Sequence, residues 1–257
     1  MRFSVCTCVS TAVDLLDSCY NSLMENCGFF DPGLEFDMSV VTWNASPDVI
    51  MWLMDRPQIY HEVYQTNPDV GYVPNLRGLI NKTFDVGFMF NDYCVRTDAD
   101  VLFGKNWLKE LAMWANEDMI VSPQHVTPIK GGHVITADLG PIGDSFDYDG
   151  FVEIVEQVRR PGVLMTEDER GGWLKTLTMP YIMHRKWWDQ CGPWELTGIG
   201  KKVPPPDRRF FKRCHDAGAK YAMAMGSVVY HQEGAERKRP IRPAGAENMP
   251  EEGVNHA

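Results

Sequence analysis

Tyr93-Cys94-Val95-Arg96-Thr97-Asp98-Ala99-Asp100 is the stretch on which the reading of this chain turns. A short run with aromatic and β-branched residues passes into two carboxylates two positions apart. It reads as a strand that ends at an acidic pair. Residues i and i+2 share a face of an extended strand, and at a strand end Ala99 can occupy the turn and leave both carboxylates directed at one ion. Two hard oxygen donors with room for water and phosphate oxygens suit Mg2+ or Mn2+. The triplet alone is weak evidence, because acidic residues also cap or solvate loops.

Working outward, strands are predicted at Phe3 to Val9, Phe36 to Thr42, Met119 to Val121, Met179 to His184 and Ser227 to Tyr230. Between them lie stripes of helical period: Leu16, Cys19, Tyr20 and Leu23; Leu76, Leu79, Ile80 and Phe84; Trp107, Leu108 and Leu111. Thr11 and Asp14 have capping-box spacing, and Ser46 before Pro47 reads as a second helix cap. Lys186 to Cys191 and Asp207 to Ala217 are further helices. This alternation predicts one α/β domain with a mostly parallel central sheet and helices on both faces. Such sheets bind ligands beyond the carboxyl ends of their strands. Ser10, Thr11, Asn44 and the Asp98–Asp100 pair all fall at those ends. His231, ending the last strand, would complete an Asp-Asp-His set if that strand lies nearby, a plausible manganese arrangement.

The rhythm breaks over residues 122–178, rich in proline and glycine, which read as an insertion or lid. That divides the chain into 1–121, the insertion, 179–231 and a polar tail at 232–257. Of 257 residues 44% are hydrophobic, enough for a substantial core, and the net charge of -10 disfavours a protein that coats nucleic acid by bulk electrostatics. Seven scattered cysteines read as buried and structural. With no transmembrane run or hydrophobic leader, they point to a reducing, cytoplasmic setting. Residues 207–242 run against the overall balance, with nine basic side chains against four acidic ones.

These features together resemble the family 2 glycosyltransferases. Phe3 to Thr11 is similar to the family's opening strand, whose end meets the nucleotide. Asp98-Ala99-Asp100-Val101 with Trp107-Leu108 resembles its metal triplet and the helix that follows. Tyr181 to Lys186 and Gly192-Pro193-Trp194-Glu195 resemble the strand, basic pair and turn on the acceptor side. Asp207, Arg213, Gly218 and His231 fall at the family's spacing for its acidic motif, the arginine and closing glycine of that helix, and the strand-ending histidine.

The resemblance implies a GT-A-like fold with 1–121 as the nucleotide-sugar and metal-binding half and 179–231 as the acceptor-binding and catalytic half. It implies inverting transfer from a nucleotide-diphosphate sugar to a glycan or other small hydroxylated acceptor. Asp207 would be the general base, and Asp98, Asp100 and His231 would hold Mn2+ or Mg2+. Ser10, Thr11, Asn44, Arg96, Asp98, Arg237 and Lys238 would face the donor, and Trp194 and Glu195 the acceptor. The chain departs from the pattern where the family often carries aspartate after its second strand; here the stretch is Thr42 to Ser46. Pro206 stands where Glu usually precedes Asp207, and Arg96 interrupts an otherwise apolar strand. A hydroxylated DNA base as acceptor and a non-catalytic sugar-nucleotide-binding protein are the alternatives.

Overall fold

The computed structural model describes residues 2–28, 35–64, 76–129, 134–143, 145–195 and 204–232. The elements run β1 (Arg2–Val9), α1 (Val13–Asn26), β2 (Glu35–Trp43), α2 (Pro47–Met54), β3 (Tyr60–Tyr64), α3 (Leu76–Phe90), β4 (Tyr93–Arg96), β5 (Val101–Phe103), α4 (Trp107–Ala112), β6 (Met119–Thr127), β7 (Ile135–Thr136), α5 (Tyr148–Val158), β8 (Leu164–Thr166), α6 (Glu167–Arg170), β9 (Tyr181–His184), α7 (Arg185–Cys191), α8 (Pro206–Asp216) and β10 (Lys220–His231).

All ten strands join one sheet in the order β3-β2-β1-β4-β9-β6-β10-β5, with β7 on β6 and β8 on β10. The block β3-β2-β1-β4 is parallel throughout, as is the pair β6–β10. Between the blocks β9 runs antiparallel to both β4 and β6. Two reversals restore direction, so the carboxyl ends of β1, β2, β4, β6 and β10 line one edge of the sheet.

Side chains alternate across that sheet with the period of two that extended backbone imposes. Cys6 and Cys8 of β1, Cys94 of β4, and Tyr181 and Met183 of β9 pack against Phe84 of α3, Trp187 of α7, and Phe210 and Phe211 of α8. Phe3, Val5, Val95 and Ile182 face the other way, onto Cys19 and Leu23 of α1 and Trp107 and Leu108 of α4. All seven cysteines are buried and none forms a disulfide, as their positions in apolar runs predict. Among the described residues no helix is long and apolar enough to cross a membrane.

Two local expectations change. Thr11 does not cap α1: the N-cap is Ala12, and no side chain accepts there. Ser46 does cap α2, accepting from the Val49 amide. The strand expected to stop at Val121 continues to Thr127 through Pro123. Proline lacks the donor a ladder needs, and here it faces Ala224, where the register of β10 slips before Val228. Such an irregularity is where a sheet tolerates proline. Gly226 lies within that slip, and a Cβ there would meet the Glu110 carboxylate at 2.1 Å. The stretch 122–178 therefore opens with six residues of sheet, and His125 sits in β6 rather than in a loop.

Candidate active site

Strand pairing brings the acidic triplet and His231 together. β5 follows the triplet directly and pairs antiparallel with the end of β10, His231 opposite Val101 and Tyr230 opposite Leu102. The ladder extends one step further, where the Gln232 amide donates to the Asp100 carbonyl at 3.0 Å. With backbone registered this way, His231 Nε2 lies 3.1 Å from Asp100 Oδ1 and 3.9 Å from Asp98 Oδ2. One ligand atom from each of Asp98, Asp100 and His231 falls within 4.8 Å of the others. Two carboxylate oxygens and an imidazole nitrogen fit Mn2+ or Mg2+ by donor type, with Mn2+ the better match to nitrogen.

Arg96 is buried. It lies on β4 inside the sheet, 2% exposed, with Nη2 2.6 Å from Asp98 Oδ1. Its other neighbours are soft: Nη1 donates to Met179 Sδ at 3.0 Å and Nη2 approaches Cys8 Sγ at 3.8 Å. Burial alone would lower its pKa, but Asp98 foremost, with Cys8 and Tyr181, raises it overall, so the guanidinium is held as a cation. Arg96 thus orients Asp98 from behind, leaving Oδ2 toward His231. Its positive charge also offsets part of the charge that the two carboxylates place at the cluster.

Two further side chains complete this corner. The ring of His125 stacks on that of His231, centroids 5.1 Å apart and planes 20° apart. Burial, reinforced by His231, pushes the His125 pKa down to about 3, so it is neutral at ordinary pH. Tyr181 pairs with Arg96 across β4 and β9, and its buried hydroxyl finds no hydrogen-bond partner among the described residues. Burial raises its pKa; Arg96 opposes this, while the carboxylates of Asp98 and Asp207 add to it. The Tyr181 hydroxyl is thus within electrostatic reach of both carboxylates.

The other expected residues fall in three groups. Ser10, Thr11 and Asn44 lie at the carboxyl edge: the Ser10 carbonyl accepts from Ser46, the Thr11 carbonyl from Val13, and the Asn44 amide donates to Tyr64. Asn44 has φ 47°, a left-handed conformation in which asparagine is enriched. Asp207 is the second residue of α8. Pro205 is the N-cap, and no side chain makes a capping bond. Arg237 and Lys238 lie outside the described residues.

The acceptor-side turn differs from its expectation. Trp194 is 5% exposed, packed with Phe84, Phe210 and Phe211, and its backbone is fastened by Asn81 at both N–H and C=O. It is core, not an open stacking surface. Glu195 carries two guanidinium partners, Arg209 and, at 2.6 Å, Arg213. His125 and Tyr181 are the residues that site reasoning from sequence passed over. His125 lies in Ser122-Pro123-Gln124-His125-Val126-Thr127, a polar, proline-bearing stretch that carries no strand signal.

The same architecture appears in solved structures. S. aureus TarS (residues 1–349) in complex with UDP matches 90% of this chain and 60% of its own, with TM-score 0.53 and 15% identity. GalNAc-T7 with UDP, GalNAc and Mn2+ matches 91% of this chain and 44% of its own, with TM-score 0.55 and 12% identity. The fold is GT-A-like. A mycobacterial protein matches with TM-score 0.51 and 14% identity over 93% of this chain and 68% of its own. At these identities the likeness concerns the fold, and the chain spans about 60% of the TarS 1–349 chain and 44% of the GalNAc-T7 chain. No protein family's sequence pattern matches the chain, and no curated protein does.

Proposed function

We propose that this protein is a metal-assisted, inverting glycosyltransferase. It moves a sugar from a nucleotide-diphosphate donor to a hydroxyl of a glycan or other small acceptor. The observation that carries the reading is the convergence of Asp98, Asp100 and His231 at the carboxyl edge of a GT-A-like sheet. Solved structures of the same fold hold UDP in TarS, and UDP with Mn2+ in GalNAc-T7.

The transfer has two electrostatic demands: the leaving diphosphate gains negative charge, and the attacking hydroxyl must lose a proton. A divalent ion held by Asp98, Asp100 and His231 would supply positive charge for the first. Arg96 aligns Asp98 for that task and sets a buried positive charge beside it. Ser10, Thr11 and Asn44 present polar groups along the edge where the nucleotide would lie. Asp207 is the base. The acceptor oxygen forms a bond to the anomeric carbon, the bond from that carbon to the diphosphate oxygen breaks, and the hydroxyl proton passes to the Asp207 carboxylate. A single displacement inverts the anomeric centre. Asp207 stands in the first turn of α8, the helix end whose dipole complements negative charge.

A panel of nucleotide sugars with Mn2+, scored for nucleoside diphosphate release, tests the reading. At least one donor should turn over, and release from none overturns it. In Asp207→Asn the transfer rate should fall by about a hundredfold to ten-thousandfold, with donor affinity and melting temperature kept. Near-normal transfer by that variant removes Asp207 as base.

A further inference from the structure

If the protein is a transferase, its second substrate needs a volume beside the cluster, and the turn at Trp194 and Glu195 does not offer one: its ring is buried and its acid is clamped by arginines. A cavity of 510 Å³ does lie beside the cluster. That size suits a small organic ligand. His125 is the shared wall: one face of its ring stacks on His231, and the residue also lines the cavity. His125 is 6% exposed, and its Nε2 has no hydrogen-bond partner among the described residues, a state that folded interiors rarely leave uncorrected. Met223 also lines the cavity. It lies two residues beyond Tyr221 on β10, hence on the face that packs against α8, the helix carrying Asp207.

The lining states a chemistry. Met165 and Met223 give it an apolar side; Arg170, Lys175 and Glu169 give it charge. Glu169 is already engaged, its carboxylate accepting from the Thr166 amide and hydroxyl in a capping box. Arg170 is directed by its bonds to the Lys175 carbonyl. The Lys175 ammonium makes no ion pair among the described residues. The Lys175 ammonium beside an apolar side fits a sugar-sized molecule bearing a negative group.

We infer that this cavity binds the acceptor, and that the acceptor is an anionic, hydroxyl-bearing small molecule of the phosphorylated or carboxylated sugar class, held by Lys175 and abutting His125. The inference rests on the transferase reading only for the word acceptor; the site itself can be tested without donor or metal.

The full chain, labelled with 13C at its methionine methyls, is titrated with glucose 6-phosphate, glucuronate and, as the uncharged control, glucose. Both anionic sugars should shift the Met165 and Met223 signals saturably, with glucose at least about tenfold weaker, as loss of a charge-assisted hydrogen bond entails. Lys175→Gln should bring the anionic sugars down to the glucose level. Silence at both methyls, equal binding of glucose, or an unaffected Lys175→Gln overturns the inference. Binding here while no donor is turned over leaves the site standing and removes the transferase reading. Transfer to an acceptor with the two methyls unmoved does the reverse.

Discussion

Two corners of this molecule pair arginine with a carboxylate, and they differ in depth. At one, Arg96 is 2% exposed and meets Asp98, whose side chain is 31% exposed. At the other, Arg209 and Arg213 grip Glu195, whose side chain is 47% exposed, and Arg213 also donates to the carbonyls of Cys191 and Pro193. Chemically these are the same interaction. In the first corner the guanidinium has left water and depends on one carboxylate, so the pair fixes a geometry that nothing else can satisfy. In the second, water reaches Glu195 and Arg213, and the bonds of Arg213 to backbone carbonyls fasten the turn to α8 regardless of Glu195. A deep ion pair orients a site; a shallow one trims a surface.

The contrast predicts unequal losses. Asp98→Ala should leave the Arg96 charge buried without its partner, a situation that costs about 3–5 kcal/mol. The partial exposure of Asp98 puts the expected loss near the lower end, a fall in melting temperature on the order of 10 °C. Adding Arg96→Met should restore most of it, because an apolar side chain among Met179, Cys8 and Tyr181 needs no counter-charge. If the single variant melts within a degree or two of wild type, the deep corner is not deep in the energetic sense.

Asp100→Asn sharpens the same comparison from the functional side. It keeps size and removes the charge expected to hold the ion, so turnover should drop by about a hundredfold, close to 2.7 kcal/mol. Mn2+ affinity, read by electron paramagnetic resonance, should fall with it. Normal turnover at limiting Mn2+ would dissociate the cluster from the chemistry.

His125 makes the deep corner sensitive to acid. In the unfolded chain its imidazole titrates near 6.5, and in the folded protein near 3. Between those values only the unfolded state takes up the proton. The stability owed to neutral His125 is therefore complete above pH 6.5 and is lost as pH falls toward 3, by at most about 1.4 kcal/mol per pH unit. Melting temperatures from pH 7 to pH 4 should fall less steeply in His125→Phe than in wild type. Parallel curves would mean that His125 titrates alike in the folded and unfolded states.

The deep corner was also the more legible in sequence, and the reason is local. Asp98 and Asp100 follow a strand within five residues, and His231 ends another, so strand ends alone suggested their meeting. Register supplied the proof, through a three-residue β5 too short to be read beforehand. The sheet was visible wherever apolar residues alternate, as in β1, and invisible at β3, whose Tyr-His-Glu-Val-Tyr run is an edge strand largely open to solvent. The packing of Trp194 was not legible, because an aromatic in a Gly-Pro-Trp-Glu turn looks the same whether it meets ligand or core. Phe84, over a hundred residues earlier, decides it. Arg96 was ambiguous for the same reason: Met179 and Cys8, which enclose it, are more than eighty residues away on either side.

Glu195→Gln is the smallest expected effect and the one that can break the comparison. The substitution removes the charge that Arg209 and Arg213 share, yet the Arg213 bonds to Cys191 and Pro193 carbonyls remain. An exposed pair is worth at most about 1 kcal/mol, so the melting temperature should move by no more than about 4 °C, and raising salt should shrink even that. With the acceptor placed at Lys175, its KM should stay put; a rise in KM with stability kept would move the acceptor to Glu195, since removing a ground-state contact weakens binding without unfolding the turn. A loss as large as that of Asp98→Ala would show that depth is not what separates the two corners. Unchanged KM and unchanged stability together would leave Glu195 as a surface charge that happens to lie beside two arginines.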